Sequence, residues 1–457
     1  MQKNIVENFR IKMIEPLEIT TSEDRKVELN KAKNNIFLLP AQKCCIDLLT
    51  DSGTGALSTK QWAAMMLADE SYAGSNSWFH FEKVVKNITG MSYIFPTHQG
   101  RAAESIFSSI VLKPHHVVPN NSHFDTTRAN IEYAGAKAVD CLNTEQYSSR
   151  EDRFKGNMDL DKLRICIKEY GVENIPFIML TLTNNTGGGQ PVSMQNIKEV
   201  RAIADDYKLP LVLDVCRFAE NSYFIHLYET EYKDKSLLKI AQEIFSYADA
   251  SIMSCKKDGL SNAGGFFTTT NKKWAEDFRN LLILREGFPS YGGLSGRELE
   301  SIAVGLEEAL DIEYQKYRHA SMIYLEKHLC ELGVPMITPV GGHGVFIDAQ
   351  KFAEHIPAQF FPGISLVNSI YLEGGVRCVE IGSSMLGYKD ANGVEHSATM
   401  ELVRLASPRR VYTQSHFDYL IEVIEAVWAK RKSMLPYKMV WQAPFLRHFT
   451  AHYEVCK

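Results

Sequence analysis

From about residue 90 to residue 270, short apolar runs alternate with amphipathic stretches. This alternation predicts strand and helix units repeated around a mostly parallel sheet, because a strand covered on both faces is apolar throughout whereas a covering helix is apolar on one side only. The predicted strands are Ser92–Pro96, His116–Pro119, Pro176–Thr181, Pro210–Asp214, Ala250–Ser254 and Gly264–Thr268. After a turn at Tyr291-Gly292-Gly293, apolar residues recur at helical spacing from Gly296 to Leu332 with few breakers, which predicts one long helix. A helix of that length commonly leaves one domain and enters another, so the domain boundary is expected within it. Beyond it, Gly344–Asp348, Val376–Ile381 and Leu402–Leu405 suit a second small sheet, and Tyr388–His396 reads as an exposed loop.

Composition narrows this picture. A chain of 457 residues exceeds what one hydrophobic core usually fills, so a large and a smaller domain are expected. With 45% hydrophobic and 23% charged residues it reads as a soluble globular protein. A net charge of -5 gives no electrostatic footprint for nucleic acid or an anionic membrane. No run approaches the roughly 20 apolar residues of a spanning helix. The start, MQKNIVENFRIKMIEP, lacks the apolar core of a signal peptide, so a cytoplasmic protein is expected. Nine scattered cysteines, with Cys44 and Cys45 adjacent, do not suggest a disulfide framework. Without C-x-x-C or H-E-x-x-H, a zinc site has little support.

The candidate chemistry lies at strand ends. Leu211-Val212-Leu213-Asp214 ends an apolar strand in a carboxylate, and in open α/β sheets ligands sit beyond the carboxyl ends of strands. Taken alone, such an Asp is more often a helix cap or loop anchor, and paired lysines at a strand end are usually solvated. About forty residues on, Ala250–Ser254 runs into Cys255-Lys256-Lys257-Asp258-Gly259. Pyridoxal phosphate needs both features: a lysine to form the imine, and a carboxylate to keep the ring nitrogen protonated so that the ring acts as an electron sink. Ser254 is placed to reach its phosphate. Pro96-Thr97-His98-Gln99-Gly100-Arg101-Ala102-Ala103 adds a strand-to-helix turn whose amides and dipole favour an anion, with Arg101 contributing charge.

Many separate segments resemble the β-eliminating lyases, the group of tryptophanase and tyrosine phenol-lyase. They include IDLLTDSGT at 46–54, DESYAGS at 69–75, PTHQGR at 96–101, GGQPVS at 188–193, FSYAD at 245–249, KKD at 256–258, YGGL at 291–294, PRRVYT at 408–413 and LRHFTA at 446–451, spanning nearly the whole chain. The resemblance implies an aspartate-aminotransferase-like fold (PLP fold type I). A large domain over residues 56–310 would carry a mostly parallel seven-stranded sheet. A small α/β domain over 311–457 would be joined by the segment 1–55.

The same resemblance assigns roles. Lys257 would hold the cofactor covalently and accept the α-proton, Asp214 would pair with the pyridine nitrogen, Phe124 would stack on the ring, and Arg217 would lie near the phenolic oxygen. Gln99, Gly100, Arg101, Ser254 and Lys256 would gather around the phosphate. Arg404 resembles the arginine that grips the substrate α-carboxylate as a two-pronged fork, assisted by Thr50, Ser52 and Asn185. Tyr72 resembles the general acid that protonates the departing ring carbon. In that family the tyrosine is supplied across a subunit interface, which implies a dimer, paired into a tetramer. A potassium-like cation would be held by Glu70 and the carbonyls of Gly53 and Asn262.

The substrate-side residues lean toward tryptophanases. Ile381 stands where tyrosine phenol-lyases place an arginine for the phenol hydroxyl, Asp125 and His448 could address the indole ring and its N–H, and Phe37, Phe288 and Phe449 would line an apolar slot. Three features depart from the pattern: the short segment Leu112–Asn120, as in tyrosine phenol-lyases; Gly187 in place of the usual alanine; and Ala406-Ser407 in place of a Thr-Ile pair. The implied reaction is β-elimination of L-tryptophan to indole, pyruvate and ammonia. The alternatives are a lyase for tyrosine or another β-substituted amino acid, and a catalytically inactive structural relative.

Overall fold

The computed structural model describes residues 6–143, 147, 149–389 and 392–456. The chain divides into two compact units, one of Ser52–Lys316 and one of Met1–Asp51 with Tyr317–Lys457. Among the described residues no helix is long and apolar enough to cross a membrane.

Within Ser52–Lys316 the elements that build the site are β1 (Tyr93–Thr97), α1 (Gly100–Val111), β2 (Val117–Asn120), α2 (Asp125–Tyr133), β3 (Lys137–Asp140), β4 (Ile178–Thr181), β5 (Leu211–Asp214), α3 (Phe218–Tyr228), β6 (Ala250–Ser254), β7 (Gly265–Thr269) and α4 (Gly296–Ala309). A five-stranded sheet runs in the order β1-β7-β6-β5-β4. Its strands β4, β5 and β6 are parallel, while β7 is antiparallel to both neighbours. Every residue of β4, β5 and β6 is buried, which is why these strands read as unbroken apolar runs.

The expected seven strands thus come as five and two, since β2 and β3 form a separate parallel pair. Side chains explain the break. Asn121 donates through Nδ2 to the Thr181 carbonyl at 3.1 Å and accepts from the Thr181 amide at 2.9 Å, so the backbone groups at the end of β4 bond a side chain instead of a strand. β3 was not foreseen: it is four residues long, with Lys137 and Asp140 exposed at its ends, and carries no apolar run.

The helix expected over Gly296–Leu332 is two helices, α4 and α5 (Ile312–Glu331). Asp311 breaks it, because its Oδ1 accepts the Glu313 amide at 2.8 Å and starts a new helix. Gln315 Nε2 donates to the Ala309 carbonyl at 2.7 Å, covering one of the acceptors that α4 leaves open at its end.

In the other unit, β8 (Gly344–Asp348), β9 (Val379–Ile381) and β10 (Leu402–Ala406) form a three-stranded antiparallel sheet in the order β9-β10-β8. The run expected as one strand from Val376 to Ile381 is divided, since Val376–Arg377 pairs in parallel with Ile46–Asp47. Tyr388–His396, expected as a plain loop, is a hairpin in which Tyr388–Lys389 pairs with Glu395–His396.

Candidate functional site

Asp214 ends β5 and Ser254 ends β6, neighbours in the parallel part of the sheet. The turn after β6 is tied to the start of α3: Asp258 accepts the amides of Ala219 at 2.8 Å and Glu220 at 3.0 Å, and donates its own amide to the Cys216 carbonyl at 3.2 Å. These bonds hold the Lys256-Lys257 turn beside the loop that follows Asp214. The Lys256 carbonyl accepts the Gly53 amide at 2.8 Å. Gly53 sits at φ +76°, a conformation costly for residues with a Cβ.

One cavity, open to solvent, is lined by Asp214 and Lys257 together with Ser52, Gln99, Gly100, Arg101, Phe124, Asn185, Arg217, Ser254 and Lys256. The residues expected around the cofactor are thereby all brought together. Glu104, Thr126, Thr181, Thr183, Cys216 and Ile252 complete the wall and were not foreseen. For Glu104 a signal was available, since an acid on the apolar face of α1, between Ala103 and Phe107, is out of pattern.

The wall suits an anionic, ring-shaped ligand. A Cβ on Gly100 would lie 2.6 Å from Ser254 Cβ, so only glycine lets the start of α1 close on the end of β6. Gln99 makes no side-chain cap bond there, and the first amides of a helix need partners. Burial lowers the Lys256 pKa, and the charges of Lys257 and Arg101 lower it further, a crowding of cations that a phosphate would relieve. Thr183, also on the wall, has a buried hydroxyl with no hydrogen-bond partner among the described residues. The donor set therefore fits pyridoxal phosphate: an amine for the aldehyde, a carboxylate for the ring nitrogen and a cationic cup for the phosphate. Burial and the Asp214 charge raise the Cys216 thiol well above its ordinary value, keeping it neutral.

The other expected residues of this unit do not line that cavity. Tyr72 is 71% exposed and does not line the cavity of its own chain; its ring packs 5.6 Å from Phe288 and 5.5 Å from Tyr291. Asp125 is buried at the start of α2, its Oδ1 accepting the Thr126 amide at 2.6 Å. Asn262 Nδ2 donates to the Gly53 carbonyl at 3.0 Å, while Glu70 Oε2 accepts the Gly296 amide at 2.9 Å.

In the unit containing residues 317–457, Phe37, His448 and Phe449 form one aromatic cluster, with Phe37 5.6 Å from His448 and 4.9 Å from Phe449. Ile381 is buried on β9, and Arg404 pairs opposite Val379 on β10 and donates to the Leu49 carbonyl at 3.2 Å. Arg447 donates to the carbonyls of Ser383 at 2.5 Å and Ser384 at 3.0 Å, tying the segment after Ile381 to the one carrying His448. Thr50 lies next to Asp51, which accepts Arg409 Nη1 at 2.9 Å. Gly187, the departure from alanine, leaves the space that the Tyr147 hydroxyl occupies, and that hydroxyl donates to the Gly187 carbonyl at 2.5 Å.

Among solved structures the fold is similar to the serine palmitoyltransferases of S. paucimobilis (TM-score 0.55) and Sphingomonas wittichii (TM-score 0.54). Each is 14% identical and matches over 85% of this chain and 88% of its own. This is the aspartate-aminotransferase-like fold. The β-eliminating lyase profile matches residues 47–423, and the chain belongs to that family. It is 52% identical to a tryptophanase of Salinibacter ruber over 98% of this chain and 95% of that protein. It is 48% identical to a tryptophanase of Hyphomonas neptunium and 45% to a tyrosine phenol-lyase of Pasteurella multocida, each over 99% of both chains.

Proposed function

We propose that this β-eliminating lyase uses pyridoxal phosphate to cleave L-tryptophan into indole, pyruvate and ammonia. The cavity in which Lys257 and Asp214 share one wall carries the cofactor reading. When bound, the cofactor supplies an electron sink for the pair left at the substrate α-carbon. In this reading Lys257 anchors the cofactor through Nζ and then accepts the α-proton on that atom. Asp214 would hold a proton on the ring nitrogen, Phe124 would stack on the ring, Arg217 would lie near its oxygen, Asn185 would help bind it, and Gln99, Gly100, Arg101, Ser254 and Lys256 would hold the phosphate.

Arg404 orients the substrate carboxylate, with Thr50, Ser52 and Asn185 assisting. Tyr72 delivers a proton to the ring carbon that departs, which turns a poor leaving group into a good one. Its exposure, and its absence from its own chain's cavity wall, support a role in the site of a second subunit within a dimer or tetramer. Glu70 and the carbonyls of Gly53 and Asn262 would hold a monovalent cation such as potassium, oxygen ligands suiting a hard ion. Nine free thiols among the described residues suit a cytoplasmic enzyme.

Tryptophan is favoured over tyrosine by the buried, apolar Ile381, which offers nothing to a phenol hydroxyl, and by the Phe37–His448–Phe449 cluster with Asp125 and Phe288 as further candidates for the indole. The 45% identical tyrosine phenol-lyase keeps phenol release as the second reading. Purified protein given tryptophan, tyrosine and S-methylcysteine in turn tests both. Indole and pyruvate in equal amounts from tryptophan support the reading, and phenol as the main product would replace it.

A further inference from the structure

Glu104 lies one turn into α1, on the face otherwise filled by buried Ala103, Ile106 and Phe107. Its two carboxylate oxygens accept from two neutral hydroxyls, Oε2 from Thr126 at 3.0 Å and Oε1 from Thr127 at 2.7 Å. These threonines open α2 directly behind Phe124 and Asp125, so Glu104 joins the helix of the anion cup to the helix that begins at the ring-stacking residue. It lines the same cavity as Asp214 and Lys257. A neutral glutamine could make this link at less expense, since burying a carboxylate is unfavourable unless its charge is used.

The geometry points to Glu104 as a positioning residue that sets the charge around Asp214 and, through it, how tightly the nitrogen joining Lys257 to the cofactor holds its proton. This rests on the cofactor reading above. Burial and the neighbouring Asp214 push the Glu104 carboxyl up to about 7, against the pull of the Thr127 and Thr126 hydroxyls and of Lys257. The other charged or titratable groups on the cavity wall are Arg101 on its own helix, Arg217, Lys256 and the Cys216 thiol, with Asp125 buried at the start of α2. A second negative charge beside Asp214 favours protons on both cofactor nitrogens, and loss of that charge releases them at lower pH.

The test is a pH titration of the cofactor absorbance band in the holoenzyme, without substrate. Glu104→Gln should lower the midpoint by roughly one pH unit, the order of shift that one nearby charge produces in a partly buried site. Glu104→Asp should restore most of the shift. The paired variant Thr126→Val with Thr127→Val removes the hydroxyls that hold the Glu104 carboxyl down, so its midpoint should fall in the same direction as that of Glu104→Gln. An unmoved midpoint in Glu104→Gln, or a Glu104→Asp midpoint no nearer the wild type than that of Glu104→Gln, overturns the inference. If borohydride fixes no cofactor onto Lys257 in the wild type, the cofactor reading itself fails.

Discussion

Replacing Gly100 by alanine tests whether the start of α1 forms the phosphate cup. A Cβ there would stand 2.6 Å from Ser254 Cβ, 2.8 Å from its Cα and 2.9 Å from its amide nitrogen, whereas ordinary contact begins at 3.4 Å. Two of these atoms are backbone in the fully buried β6, so the helix must retreat by roughly 0.8 Å in an interior that tolerates little displacement. Overpacking of this kind costs about 1–3 kcal/mol, or roughly 2–12 °C in the melting temperature of a unit of this size. The same retreat stretches an amide-to-phosphate bond past useful length. Losing one charge-assisted bond of about 1.5–3 kcal/mol weakens cofactor binding roughly 10- to 150-fold. Titration of the apoprotein with pyridoxal phosphate, followed by absorbance, measures this, and a melt of the apoprotein measures the strain. A Gly100→Ala protein that melts and binds like the wild type would refute both the close approach and the cup.

Tyr72→Phe should lower indole release about 10²- to 10⁴-fold while leaving turnover of S-methylcysteine, whose thiolate leaves unaided, far less affected; equal losses in the two assays would exclude the acid role. His448→Phe keeps a ring beside Phe37 and Phe449 but removes the imidazole, so kcat/KM for tryptophan should fall about tenfold with S-methylcysteine unchanged. Burial, with the Glu401 charge beside it, raises the Glu380 pKa, and burial raises that of Glu401. The folded state therefore holds more protons than the unfolded one above about pH 4.5, and stability falls as pH rises from there through the raised values. Glu380→Gln should bring the melting temperatures at pH 5 and pH 8.5 closer together, and an unchanged gap would contradict this. Gly187→Ala should displace the Tyr147 hydroxyl and cost about 1–3 kcal/mol, a loss that Tyr147→Ala in the same chain should partly relieve in a double-mutant cycle.

The strands β4, β5 and β6 were legible because burial on both faces leaves an apolar run with sharp ends, and the chemistry sits on those ends. What escaped depended on single polar side chains. Asp311 turns one periodic stretch into two helices by a local bond that helical spacing does not register. Asn120 and Asn121 take up Thr181 and interrupt the sheet, though nothing in their own segment marks it. Within the cavity, Lys257 and Asp214 could be named because they stand at or just beyond the ends of two strands and together meet what the cofactor needs. Glu104, Thr126 and Thr183 reach the same wall from a helix face, a helix start and a loop, and their meeting depends on tertiary packing that no spacing rule encodes.

Overall charge and local charge point in opposite directions here, and the difference bears on what the site can bind. The chain carries a net charge of -5. The cavity wall, however, gathers Arg101, Arg217, Lys256 and Lys257 against the carboxyls of Asp214 and Glu104. Like charges held this close in a half-buried space repel, and the lowered pKa of Lys256 is the direct sign of it. The fold sustains the repulsion because Asp258 and the Gly53 amide fix the lysine turn from behind. A dianionic phosphate entering the cup removes the repulsion and gains the helix amides together, whereas a neutral ligand of the same shape gains only contact area. In the proposed reading affinity would thereby be concentrated at the phosphate, while Asp214 and Glu104 on the same wall would govern the protons on which the chemistry depends.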